Sequence, residues 1–117
     1  MKKYCLATMA LLAALLSGCG QRQEAKSLVK DFMTTQMGIG DYDVIQWSQL
    51  DSTFFVSDSM VQVMQQLTAG KVKGNYTKAT PKLLYMNVKY AIGKDTVKQT
   101  FYFDDKLTGV VSLKDNE

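Results

Sequence analysis

The chain reads as an α+β domain, with amphipathic helices packed on a curved antiparallel sheet that ends in a three-strand meander. Three observations lead there. Apolar residues recur at helical spacing in two separate stretches. The last third alternates apolar and polar residues with a period of two, as half-buried strands do. Gly38, Gly40, Gly70, Gly74, Pro81 and Gly93 punctuate the segments, and such residues stop helices and make turns. A sheet with one apolar face needs a helix laid across it, so helices and strands share one core.

In the first helical stretch, from about Arg22 to Met37, Ala25, Leu28, Val29, Phe32 and Met33 line one side while Glu24, Lys26, Lys30 and Asp31 line the other. Gly38 and Gly40 stop it, and a turn follows through Asp41. Tyr42 to Val56 is rich in β-branched and aromatic residues, interrupted at Gln46, Gln49 and Asp51-Ser52, which predicts one long strand with a bulge or two short ones. Ser57 or Ser59 caps a second helix that runs through Met60, Val63, Met64 and Leu67, read as packing against the sheet, with Gln62, Gln65 and Gln66 outward. Gly70 ends it. Lys71 to Lys82 is a solvated connection carrying Lys71, Lys73, Lys78 and Lys82. In the meander, Leu84, Met86, Val88, Tyr90 and Ile92 share one side, and Gly93-Lys94-Asp95 turns. Val97, Phe101 and Phe103 then oppose Lys98, Thr100 and Tyr102, Asp104-Asp105-Lys106 turns again, and Leu107, Val111 and Leu113 finish the pattern. Gln99 interrupts the apolar side, where a buried amide needs partners unless it sits at the sheet edge.

The N-terminus carries an address. Lys2 and Lys3 precede an apolar run from Leu6 to Leu16, too short for a stable span, and Leu16-Ser17-Gly18-Cys19 closes it. This leucine, small, small, cysteine core resembles that of bacterial lipoprotein precursors. The resemblance implies that Leu16, Ser17 and Gly18 are read by the signal peptidase and that residues 1–18 are removed. Cys19 would then carry a diacylglycerol on its thiol and a further acyl chain, palmitate among them, on its amino group; two or more chains make attachment stable. Residues 19–23 form a lipidated cysteine with a short tether, and 24–117 a single domain. Gly20 in place of aspartate after the cysteine implies outer-membrane placement, taken here as periplasm-facing. Removing 18 of 117 residues leaves 99, enough for one small core. Cys5 leaves with the signal and Cys19 is consumed by lipid, so stability rests on packing alone. The net charge of +3 falls to about +1 without Lys2 and Lys3, a balance that recruits neither nucleic acid nor anionic lipid.

Function classes narrow by residue type. The chain has no histidine, and no thiol survives maturation, so common hydrolase designs and His/Cys metal clusters are excluded. Gly38-Ile39-Gly40 lacks the remainder of a phosphate-binding loop. No metal, no cofactor and no enzymatic role is expected. Carboxylate and phenol chemistry, from Tyr85, Tyr90, Tyr102, Asp41 and Asp43, falls in no motif. The helix, extended segment, helix, meander order, most clearly over Tyr85 to Lys114, resembles small Bacteroidetes-type lipoproteins of the cystatin-like and nuclear-transport-factor-like group. That resemblance implies a roll that binds proteins or small molecules, with protease-inhibitor-like or isomerase-like activity as further alternatives. The order is also similar to the small outer-membrane lipoproteins that accompany the β-barrel assembly machine, although Ser57-Asp58-Ser59 and Gly70-Lys71 stand where that family has other turns. Gln66-Leu67-Thr68-Ala69-Gly70 resembles the cystatin wedge, with Thr68 in place of its valine. Two readings result. A carrier of a small apolar ligand would line a pocket with Trp47, Phe54, Met86, Tyr90, Phe101 and Phe103; a binding or assembly module for an envelope protein would pack these solidly and expose an apolar patch elsewhere.

Overall fold

The structure, a computed structural model, describes residues 20–116; the signal peptide with Leu16, Ser17, Gly18 and Cys19 lies outside the described residues. Residues 20–35 form helix α1. It is followed by strands β1 (Asp43–Trp47) and β2 (Asp51–Thr53), helix α2 (Asp58–Leu67), and strands β3 (Leu83–Ile92), β4 (Asp95–Asp104) and β5 (Val110–Asn116). The sheet has five antiparallel strands in the order β1-β3-β4-β5, with β2 also on β3, and it does not close. The stretch from Tyr42 to Val56 is therefore two short strands on one edge of β3, β1 against its C-terminal half and β2 against its start.

Alternation divides the sheet. Leu84, Met86, Val88 and Tyr90 of β3 meet Phe101 and Phe103 of β4 and Leu113 of β5 on one face, where α1 covers them with Ala25, Val29, Phe32 and Met33. A smaller cluster on the other face joins Val61 of α2 to Leu83 and Val111. Two bulges tune this pattern: Ile45 stands unpaired between Val44 and Gln46, and Val111 falls between residues paired with Phe103 and Tyr102. The second bulge turns Val111 toward α2, away from the side shared by Leu113, which corrects the expected run. Leu107 is also no strand residue; it sits in the turn before β5 at φ 55 and still packs into the α1-side core.

Local chemistry accounts for the helix ends. Gly38 adopts φ 71, which lets the chain leave α1 while Ile39 N donates to Met33 O at 2.8 Å. Ser57 is the N-cap of α2, its hydroxyl accepting from Met60 N at 3.2 Å, and Thr68 closes the helix by donating to Met64 O at 2.7 Å. The expected tether is corrected too: residues 20–23 are already helical, and Arg22 donates to the carbonyls of Ser48 (3.1 Å) and Trp47 (3.2 Å), fixing the start of α1 to the end of β1.

Candidate functional site

The six residues expected around a ligand do not surround one. Met86, Tyr90, Phe101 and Phe103 lie in the solid core beneath α1, because the same alternation that groups them also presses them against Val29, Phe32 and Met33. Trp47 is half-buried at the sheet margin, with the ammonium groups of Lys26 and Lys30 at 5.6 and 6.0 Å from its ring. Phe54 is 70% exposed and belongs to no pocket, since it follows the end of β2 and points off the sheet. Only Tyr90 borders a hollow, a cleft of about 280 Å³ shared with Met37, Ile39, Ile92 and Val97. The larger depressions, of about 600 and 380 Å³, lie at the polar end of the sheet around Lys89, Lys98 and Asn116 and are open to solvent.

Gln99 is buried and fully partnered, not at an edge. Tyr90 donates its hydroxyl hydrogen to Gln99 Oε1 at 2.7 Å, and Gln99 Nε2 donates to Asp115 Oδ1 at 2.7 Å. The far oxygen of Asp115 pairs with the Lys71 ammonium. Burial, with a smaller contribution from the Asp115 charge, pushes the Tyr90 phenol up to about 12. Burial also works to raise the Asp115 carboxyl, but hydrogen bonds from Lys71 and Gln99 and the Lys71 charge outweigh it and hold the group below its ordinary value. A phenol, an amide and a carboxylate do converge here, yet each is occupied by the next. Tyr85 and Tyr102 pair with each other on the opposite face, with ring centroids 6.0 Å apart, and Asp41 and Asp43 are exposed. Among the described residues no group of three or more His, Cys, Asp or Glu side chains is placed to hold a metal ion.

The unpartnered surface lies elsewhere. Phe55 is 90% exposed and Phe54 70%, and on α2 Leu67 is 76%, Val63 52% and Met60 49% exposed. The expectation that Met60, Val63 and Leu67 face the core is corrected: α2 buries Val61 and Met64 and turns the neighbouring stripe outward. The physical reason is position. α1 already fills the apolar face, so α2 takes the β5 margin, where Gln65 donates to Val111 O at 2.8 Å and only a narrow strip of helix finds a partner. Gln66 to Gly70, which resembles an inhibitory wedge in sequence, forms the last turn of this helix and the turn after it. Phe55 and the outward stripe were missed in the sequence; the adjacent Phe54-Phe55 just before a capping serine was the one available signal.

No described helix is long and apolar enough to cross a membrane. No protein-family model matches the chain, and neither a curated protein nor a solved structure matches it.

Proposed function

We propose that the protein is a lipid-anchored cell-envelope lipoprotein acting as a non-enzymatic binding or assembly module, held at the outer membrane through Cys19 and facing the periplasm. The observation that carries the binding role is the outward stripe Met60, Val63 and Leu67 beside a solid core. Apolar anchors at i, i+3 and i+7 are the spacing with which a helix seats itself in a groove of another protein. Asp58 is the one charged residue of α2, so the matching groove is apolar and uncharged. Support for the anchor comes from Leu16-Ser17-Gly18-Cys19 behind Lys2 and Lys3. The resemblance to cystatin-like lipoproteins is consistent with a binding role, which that group includes.

The test uses the full chain with its own signal. Intact mass of the membrane-purified protein is expected to show an acylated Cys19 at the new N-terminus, and Cys19→Ser to lose both the acyl mass and membrane attachment. A photo-reactive residue at Val63 is expected to cross-link one envelope protein, while the same residue at Lys94, exposed in the turn between β3 and β4, captures none. Salt-resistant membrane attachment of Cys19→Ser would overturn the anchor; equal labelling from both positions would overturn the stripe.

A further inference from the structure

Phe54 and Phe55 are separate in kind from the stripe on α2. They occupy the short link between β2 and the N-cap of α2, and Phe55 is the most exposed large apolar side chain described. The link is not slack: Phe55 N donates to the Thr53 hydroxyl at 3.1 Å, which fixes a tight turn and holds the backbone of Phe55 past the sheet end. Two adjacent phenyl rings displayed in this way lose nothing from the core when they leave water, and gain whatever apolar medium they enter.

The topology says which medium. Thr53 is in register with Leu83, and Leu83 with Asp104, so β2 and β4 end and β3 begins at one end of the sheet. Phe54 and Phe55 follow directly beyond it. The turn from Asp104 to Val110 lies at this end, and Gly20, Gln23 and Leu28 of α1 border a hollow with Leu107 from that turn. The start of α1 thus borders this turn at Leu107 while Arg22 reaches Ser48 and Trp47 at the end of β1, and the residue preceding Gly20 in the sequence is Cys19. We propose that this end is the membrane-seating face, with Phe54 and Phe55 inserted as a pair into the interfacial layer of the bilayer that receives the Cys19 acyl chains. The proposal rests on the lipoprotein reading above. With residues 20–23 helical and Arg22 tied to β1, the described chain is fixed to the domain from its first residues.

Charge refines the surface that would be accepted. Lys78, Lys82, Lys106 and, at the start of α1, Arg22 belong to this end or to the segment bordering it, and so do Asp58, Asp105 and Glu24, while Asp104 is buried with its carboxylate turned to Thr108 and Gly109. Four cations against three outward carboxylates are close to balance, so seating depends mainly on the rings. On this orientation α2 rises away from the bilayer, beginning at Asp58 beside the inserted rings, and its apolar stripe faces sideways, free for a protein neighbour.

The experiment is depth-resolved quenching on the full-length protein, purified from membranes in detergent, checked for acylation by mass and reconstituted into phosphatidylcholine vesicles. Phe55→Trp adds one indole to a chain whose only other tryptophan is Trp47. The site is open to solvent, so the fold is preserved. Lipids brominated at shallow acyl positions are expected to quench the added emission at least threefold more than that of Trp47 in the parent, equally in vesicles with and without phosphatidylglycerol. An acylated, vesicle-bound chain whose added indole emits as in water and is not quenched would overturn the seating face while leaving the anchor intact. A loss of quenching that tracks formation of a dimer through position 55 would overturn it in favour of a second copy. A chain with no acyl mass would instead remove the lipoprotein reading, and the seating face with it.

Discussion

Gln99 is 1% exposed in the middle of an apolar strand face, a position where an amide without partners would cost about 1–3 kcal/mol. Its acceptance depends on the chain Tyr90, Gln99, Asp115, Lys71, which carries the polarity out to solvent one hydrogen bond at a time. A pH dependence follows. The native phenol of Tyr90 keeps its proton up to about 12, whereas an unfolded tyrosine releases it near 10.0, so above that lower value the folded state binds more protons than the unfolded one. The contribution of Tyr90 is complete below pH 10 and is lost as pH rises through 12. Urea denaturation across that interval is expected to show Tyr90→Phe losing less stability with pH than the parent; parallel slopes would refute the buried phenol. Asp115 acts with the opposite sign, its contribution being present above the ordinary carboxylate value and lost as pH falls through its depressed one. Gln99 could be identified in the sequence because it breaks a period of two. Leu107 could not, because nothing in its side chain announces a left-handed backbone. That conformation costs a non-glycine residue about 1–3 kcal/mol, offset by burial in the core and by the Asp104 carboxylate, which accepts from Thr108 N, Thr108 Oγ1 and Gly109 N.

At the scale of elements, α2 separates what periodicity can say from what it cannot. Met60, Val61, Val63, Met64 and Leu67 form an apolar arc wide enough to rotate either of two stripes inward, and the sequence contains nothing to choose between them. The choice belongs to the sheet margin, which offers Leu83, Val111 and Tyr102 on one side only. Substitutions should therefore divide sharply along one helix. Met64→Ala is expected to destabilise the protein by about 2–5 kcal/mol, as loss of a buried side chain does. Leu67→Ser is expected to change stability by less than about 0.5 kcal/mol, as at an exposed site. Chemical denaturation of the two variants checks the assignment, and a larger loss for Leu67→Ser would reverse it. The first two strands of the meander were legible because β3 and β4 alternate without interruption apart from Gln99 and because Gly93 supplies a φ of 60 at their turn, whereas the bulge at Val111 and the turn at Leu107 were not. The stretch from Tyr42 to Val56 was legible as extended chain, but one bulged strand and two short ones remained open, because Asp51-Ser52 reads as an interruption and yet begins β2. The candidate site was much less so: alternation identified Met86, Tyr90, Phe101 and Phe103 as inward, but only the position of α1 shows that the space between them is filled.

Across the whole molecule the two margins of the sheet are unlike. Beside β5, Thr77 N donates to Val110 O at 2.7 Å and Gln65 of α2 donates to Val111 O, so α2 and the segment after it cover the start of that edge. Beside β1 and β2 no described strand follows, and the Ile45 bulge alone interrupts the line of backbone groups. The β1 edge, with neither helix nor loop hydrogen-bonded along it until Arg22 reaches Trp47 O, is the more open of the two to pairing between copies. Sedimentation velocity of the detergent-solubilised protein at rising concentration is expected to show self-association that Ile45→Lys, in β1, shifts toward the monomer; unchanged association of that variant would contradict pairing through β1. Two copies joined across β1 would share one sheet whose outer margins are each covered only at Val110 and Val111, so growth is blunted at the start of β5 and the Ile45 bulge is left to limit the seam.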